Sequence, residues 1–285
     1  MKELSIIIVT YKSNNNIINC IEKIKLFEKN IYIVDNSNDL ILKKNIKKKF
    51  PRIKFFLNKK NLGYGKANNQ MLNIINTKYA LLLNPDTVIT INSIYKLIKK
   101  AKEINEKFAI LSPLKKNTDN IHVKDYYKPF SIFSNFNNQL MKVKSVNFHA
   151  PLFNVKVIRK INFFDENFFL YLEDVDLCMR LIKNKENIFL LKTSTAKHNS
   201  GQSSSAKDYI LIRYFHFGWS LIYYYKKHFG IIVSILVSFW YFFKINIKTF
   251  LYFLLSKNIF AENKSMLQGV LSSFFCKKDF FRNKY

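Results

Sequence analysis

The sequence predicts an α/β fold built on a largely parallel sheet, and three observations carry that prediction. Apolar runs rich in Ile, Leu and Val recur at residues 4–9, 31–34, 53–57 and 79–83. Between them lie segments whose apolar residues recur three or four positions apart. Three of the runs give way to polar clusters: Thr10, Tyr11 and Lys12; Asp35, Asn36 and Ser37; Asn84 and Asp86. An unbroken apolar run marks a strand covered on both faces. Strands alternating with helices make layered parallel sheets, whose ligands bind beyond the carboxyl ends of the strands.

Taken in order, Ile17, Ile18, Ile21, Ile24 and Leu26 fall at roughly helical spacing after the first strand. A second helix is expected over 43–50, closed by Pro51, and a third over 66–75 after a loop at 61–65. Ile91, Tyr95, Ile98 and Ala101 mark the face of a fourth. Residues 115–145, rich in Lys, Asn, Phe and Tyr, read as a mobile segment over the site, and 143–148 resume a strand-like pattern. Val175, Met179 and Ile182 recur at helical spacing. An apolar strand at 188–191 precedes a polar loop that holds His198.

The 285 residues include 47 Lys and Arg against 19 Asp and Glu, a formal charge of +28. Only five of the basic residues are Arg, and Asn occurs 33 times. The Lys excess therefore reads first as compositional drift shared by Lys, Asn, Ile and Phe. Such a charge attracts anions without choosing among nucleotides, lipid headgroups and nucleic acid. The lysines are spread along the chain, and no helix-turn-helix, zinc or RNA-binding signature occurs, which sets nucleic acid aside. With 48% hydrophobic residues the chain can bury a core, so wholesale disorder is excluded. Cys20, Cys178 and Cys276 lie far apart and fit a reducing compartment. The N-terminal apolar run is too short for a secretory signal.

Two of only six glycines, Gly63 and Gly65, fall in Asn61-Leu62-Gly63-Tyr64-Gly65, which points to unusual backbone angles or a close ligand. Asn68 stands where the third Gly of a dinucleotide fingerprint would be, and no phosphate-loop motif occurs. A dehydrogenase and a P-loop kinase are disfavoured. Five of the 19 acidic residues are Asp165, Glu166, Glu173, Asp174 and Asp176. The last three lie at or near a helix N-terminus. Such acids either complement the helix dipole or supply a general base. Glu173 and Asp174 are adjacent and point in different directions, so only one can face a given substrate atom. His198, in Ala196-Lys197-His198-Asn199-Ser200-Gly201, is either structural or a metal ligand together with Asp86.

These strings, in this order, resemble the family 2 glycosyltransferases, and within them the bacterial rhamnosyltransferase-like group. The match runs through Ser5-Ile6-Ile7-Ile8-Val9-Thr10-Tyr11, Val34-Asp35-Asn36-Ser37, the Asn61 to Asn69 stretch, Leu82-Leu83-Asn84-Pro85-Asp86-Thr87, the Phe164 to Arg180 stretch and His198. The resemblance implies a GT-A fold and an inverting transfer from a nucleotide-activated sugar. It implies that Thr10 and Tyr11 line the nucleotide pocket and that Asp35 accepts a hydrogen bond from a pyrimidine N3–H, which suits uracil or thymine. Gly63, Lys66, Asn69 and Asn84 join the nucleotide-binding set. Asn84-Pro85-Asp86 occupies the D-x-D position, so Asp86 is the one carboxylate left, with His198 as second ligand for Mg²⁺ or Mn²⁺. Asp174 is implied as general base, Glu173 as second choice, and Asp176 as support. Asn162 stands where the group often has Gly, and His149-Ala150-Pro151 replaces residues that are commonly small.

From Tyr214 onward the composition changes. Residues 229–243 hold no charge, short of the roughly 20 apolar residues of a spanning helix. Lys226, Lys227, Lys244, Lys248 and Lys257 lie among aromatics, which fits helices in a membrane interface, the alternative being ordinary buried helices. The expected organisation is a catalytic domain over 1–212 and a helical, membrane-associating region over 213–285. Expected partners are a dTDP- or UDP-sugar donor, a saccharide or lipid-linked saccharide acceptor, the inner face of the cell membrane and a possible second copy of the chain. The expected role lies in building a bacterial surface polysaccharide such as lipopolysaccharide or capsule. An inactive scaffold of such an assembly is the other reading. Retention of Asp35, Asp86, Asp174 and His198 argues against it.

Overall fold

The computed structural model describes residues 3–13, 16–105, 107–117, 120–121, 134–136, 139–198, 207–252 and 257–275. They form two compact units: Met1–Asp165 with Asp174–Ser203, and Glu166–Glu173 with Ser204–Tyr285.

The first unit follows the chain as β1 (Leu4–Thr10), α1 (Asn16–Lys23), a 3-10 turn (Lys25–Asn30), β2 (Ile31–Asp35), α2 (Leu40–Lys49), β3 (Lys54–Leu57), α3 (Tyr64–Ile74), β4 (Tyr79–Leu82), β5 (Thr87–Ile89), α4 (Ile91–Glu103), β6 (Ile110–Asn117), β7 (Asn120–Ile121), β8 (Ser134–Phe136), β9 (Leu140–Lys142), β10 (Leu152–Asn154), α5 (Val155–Lys160), α6 (Glu173–Lys183) and β11 (Ile188–His198). One mixed sheet runs β3-β2-β1-β4-β10-β6-β11-β9-β8, with β5 paired to β11 and β7 to β6. β1 lies between β2 and β4, parallel to both. All seven β1 residues are buried, as expected of a central strand covered on both faces. One apolar layer joins Ile17, Ile21, Leu42, Ile46, Ile94 and Leu97 to one side of the sheet. The other joins Ala67, Leu72, Ile158, Leu177 and Leu181 to the opposite side. Helices therefore cover both faces.

Local chemistry shifts several boundaries from those the pattern predicts. α2 starts at Leu40 rather than 43, because the Asp39 carboxylate accepts the Leu42 N–H at 2.8 Å and caps it. Leu40 and Ile41 are exposed, so their hydrophobicity carries no periodic signal. α3 begins at Tyr64, inside the expected loop, since Gly63 at φ +82° takes the N-cap. The buried face of α4 is Ser93, Ile94, Leu97 and Ala101, and Tyr95 is exposed. Residues 143–148 are not a strand; the pairing ends with β9 at Lys142. β11 runs on to His198 through an irregularity between Leu191 and Thr195, so His198 ends a strand instead of sitting in a loop. Much of the stretch expected to be mobile, including 122–133, lies outside the described residues.

The second unit holds α7 (Lys207–Phe229), α8 (Ile231–Tyr252) and α9 (Lys257–Phe274). α7 straddles the boundary expected at 212. Gly230, at φ +87°, makes the turn into α8. α7 and α9 approach backbone to backbone: a Cβ on Gly218 would fall 2.4 Å from the Met266 carbonyl oxygen, and one on Gly269 would fall 2.0 Å from that of Phe215. Segment Glu166–Glu173 docks on α7. Phe168 meets Tyr223 edge-on at 4.9 Å, Phe169 lies over His216 at 4.5 Å, and the Ser220 hydroxyl donates to the Leu170 carbonyl at 2.9 Å. The crossing predicts that Gly269→Ala destabilises this unit by about 1–3 kcal/mol or more, because neither backbone can yield. Calorimetric melting should show a lowered transition, and an unchanged one would show that the helices separate freely.

Candidate active site

The strand order creates a switch point. From β1 the chain moves to β2 and β3 on one side, then returns to β4 on the other. The crevice between the carboxyl ends of β1 and β4 is where such sheets bind ligands. Thr10 ends one strand with Tyr11 just after it, and Asn84-Pro85-Asp86 follows the other.

Asp35 is buried and is the register partner of Thr10. Its Oδ1 accepts the Thr10 and Ser37 hydroxyls, each at 2.8 Å. Its Oδ2 accepts the N–H groups of Ser37 at 3.1 Å and Asp39 at 2.9 Å. Those four donors match the four lone pairs of a carboxylate. A base N3–H would reach it by displacing a hydroxyl. Next to it the buried Asn36 donates to the Gly63 carbonyl at 3.2 Å and accepts from Asn58 at 2.8 Å. Asn58 in turn exchanges hydrogen bonds with Gln70 of α3. The Asn61 side chain accepts the Gly63 N–H at 3.0 Å, shaping the entry to α3. Lys66 lies in the first turn of that helix.

Asn69 is engaged with the backbone of the same chain. Its amide donates to the Phe164 carbonyl at 2.9 Å and accepts the Phe164 N–H at 3.1 Å. Gly65 lies against the same residue, since an added Cβ would meet Phe164 Cβ at 3.0 Å. The close approach suggested for this Gly-rich stretch is thus, at Gly65, to an aromatic of the same chain.

The Asn84 N–H donates to the His149 carbonyl at 3.1 Å, and His149 is buried. Asp86 is partly buried. The Cys20 thiol of α1 donates weakly to the Asn84 carbonyl at 3.9 Å. Burial, with the Asp86 charge adding to it, pushes that thiol up to about 12, so Cys20 is no nucleophile at neutral pH. β5 pairs antiparallel with β11, which sets His198 opposite Thr87, the residue after Asp86. The backbone therefore brings the two expected ligand positions side by side, while the His198 side chain lies outside the described atoms. Among the described residues no three His, Cys, Asp or Glu side chains cluster as a metal site.

Asp174, in the first turn of α6, is partly buried. Burial pushes its carboxyl up to about 6, against the Val175 N–H, which donates to Oδ1 at 2.8 Å and favours the charged form. Glu173 is buried and belongs to the second unit. Asp176 is fully buried and paired with Arg180 at 2.8 Å. The same guanidinium donates to the carbonyls of Ile161 at 2.7 Å and Phe163 at 2.5 Å. Between them Asn162 adopts φ +58°, which explains an Asn at a position that also suits Gly. Sequence reasoning named Ser37 and Arg180 without giving either a role, and passed over Asn58. Arg180 carried a signal, because an Arg kept in a Lys-rich chain marks a site that needs a planar fork.

With this geometry in view, comparison with known proteins is direct. The profile of Glycosyl transferase family 2 matches residues 5–161, more than half of the chain. The chain belongs to that family. Among curated proteins, this family 2 member is 27% identical over 213 residues to the low-salt glycan biosynthesis hexosyltransferase Agl10 of Haloferax volcanii, covering 70% of this chain and 68% of the relative. The mannosyltransferase PcManGT of Pyrobaculum calidifontis, solved with GDP-Man and Mn²⁺, superposes with a TM-score of 0.59 at 10% identity over 96% of this chain and 88% of that one. GalNAc-T7, solved with UDP, GalNAc and Mn²⁺, gives 0.58 at 12% identity over 74% of this chain, which spans about half (47%) of that protein. S. aureus TarS 1-349 gives 0.54 at 14% identity over 99% and 92% of the two chains. These likenesses establish the GT-A fold.

Asp174 supplies a stability test. Its folded-state pKa lies above the ordinary 3.8, so the native state holds the proton more tightly than the unfolded chain. That contribution is fully present below about pH 4 and is lost as pH rises through 6. Asp174→Asn, which cannot ionise, should melt above wild type at pH 8 and level with it at pH 4. Equal offsets at both pH values would show that the carboxylate is well solvated.

Proposed function

We propose that this family 2 glycosyltransferase moves rhamnose or a related hexose from a dTDP- or UDP-sugar to a saccharide or lipid-linked saccharide acceptor, with inversion, in bacterial surface polysaccharide synthesis at the inner face of the cell membrane. The observation that carries the reading is Asp174. It is a partly desolvated carboxylate at a helix start, titrating near 6, and it belongs to the same compact unit as the polar ends of β1, β2 and β4. A base poised slightly below neutral pH is ionised in the cell yet basic enough to take a proton.

In the proposed reaction Asp174 accepts the proton of an acceptor hydroxyl. The freed oxygen bonds to the anomeric carbon as the bond from that carbon to the diphosphate oxygen breaks. One displacement inverts the centre, and the electron pair leaves on the nucleotide. Glu173 is the second choice for base. The Asp176–Arg180 pair holds the turn at 161–163. Thr10, Tyr11, Asp35 and Asn84 border the nucleotide crevice, with Gly63 and Lys66 at the start of α3 and Asn69 holding Phe164 behind them.

The donor set suits a divalent cation. Asp86 is a hard oxygen ligand, and the β5–β11 register brings His198 across from its neighbour. Mg²⁺ or Mn²⁺ bound to diphosphate needs only one or two protein ligands. Asp86 and His198 would hold it, and the bound ion supplies positive charge against the departing nucleotide. The Mn²⁺ in GalNAc-T7 and PcManGT supports this choice of ion, and the hexosyltransferase Agl10 supports a hexose donor.

Two measurements test the reading. Asp174→Asn should lower turnover by about 10²-fold or more while nucleotide binding is spared, and the wild-type rate should fall on the acid side of about pH 6. Near-normal turnover in the variant would remove Asp174 from the role. Asp86→Ala should abolish the Mn²⁺-dependent part of nucleoside diphosphate binding in calorimetry, and an unchanged difference with and without Mn²⁺ would remove Asp86 as a ligand.

A further inference from the structure

Helix α8 is built inside out. Ser234, Ser238 and Ile245 are its buried side chains among those described, spaced four and seven residues apart along one stripe. The two serines turn their hydroxyls back on the helix, donating to the carbonyls of Ile231 at 2.7 Å and Ser234 at 2.6 Å. The opposite surface is apolar and open to solvent: Ile232 is 73% exposed, Leu236 64%, Trp240 67% and Phe243 61%. Ile231, Phe239, Phe242 and Ile247 widen the patch. A contiguous apolar face of this kind on a water-soluble surface marks a binding site.

Three features select its occupant. The α8 sequence carries Lys244 and Lys248 and no acidic residue, and exposed Lys227 closes α7 just before it. A second copy of the same face would bring like charges together, whereas an anionic surface neutralises them. Trp240 stands in mid-patch with Phe239, Phe242, Phe243 and Leu236 about it, the residue types carried by the apolar face of an interfacial helix. The buried stripe runs along the helix from Ser234 to Ile245, so protein covers one side and lipid cannot surround it. No helix among the described residues is long and apolar enough to cross a membrane.

We infer that α8 lies in the plane of an anionic bilayer, with Ile232, Leu236, Trp240 and Phe243 in the headgroup–acyl boundary and the exposed Lys227 and Lys244 on the lipid phosphates. This deepens the transferase reading and rests on it for purpose, which is to hold the enzyme where a lipid-borne acceptor lies.

The test uses the full chain with vesicles of phosphatidylcholine alone and of phosphatidylcholine with phosphatidylglycerol. Sedimentation with the anionic vesicles is expected, weakened by salt. Trp240 emission should shift to the blue and be quenched by brominated acyl chains, a response that Trp240→Phe loses while buried Trp219 remains. Trp240→Glu and Leu236→Glu, both at exposed positions, should lower the bound fraction about tenfold and leave turnover on a water-soluble acceptor unchanged. No sedimentation with either vesicle would overturn the inference. So would a wild-type dimer that Trp240→Glu converts to monomer, which would assign the face to a second copy. Vesicle binding by wild-type protein that transfers no sugar would uphold the inference and remove the transferase reading.

Discussion

The carboxylate of Asp35 is fully buried at the end of β2, and a charge in that position persists only if donors surround it. Thr10 brings a hydroxyl from the neighbouring strand, Ser37 a hydroxyl and an N–H from the turn, and Asp39 an N–H from the residue that caps α2. One ion thus fixes the ends of β1 and β2, the turn between them and α2, and the start of that helix. The Asn36–Asn58–Gln70 amides extend the same order to α3. The β1 side of the switch-point crevice is held by this network within the chain itself, so a ligand there would meet a surface already ordered.

A second set of contacts prepares the acidic turn. Asn69 clamps the backbone of Phe164, and Gly65 lets that side chain approach α3 closely. Arg180 joins Asp176 to two carbonyls of the 161–163 turn. These contacts fix the backbone at 161–164. Arg159 works alike: its guanidinium donates to the carbonyls of Leu72 and Ile75 and lies over Phe163. In a chain whose cations have drifted to Lys, these arginines stand where a flexible point charge could not bridge several fixed acceptors.

Apart from the short β5, the order of strands and helices in the first 110 residues, the polar clusters at the strand ends and the acidic turn were legible, because buried strands and helix faces write their periods directly into hydrophobicity. What was hidden shares one cause. The start of α2 depends on an Asp39 cap, the continuation of β11 to His198 on an irregularity that breaks its period, and the face of α4 on which side meets the sheet. Each depends on a partner distant in sequence or on a backbone angle, and neither leaves a repeat. Gly218 and Gly269 are a further case: nothing nearby marks them, yet they allow α7 and α9 to touch.

By itself, then, the amino-acid order determined the class of fold, the family resemblance and the residue types available for catalysis, since these follow from local pattern and side-chain chemistry. Tertiary structure alone decided which of those residues are already engaged: Asp35 with four donors, Asn69 with Phe164, Asp176 with Arg180, and Asp174 with its raised titration. It also decided which side of α8 faces outward. Hydrogen-bond saturation and desolvation belong to the three-dimensional surroundings of an atom, and residues far apart in the chain create those surroundings only when the backbone closes around it.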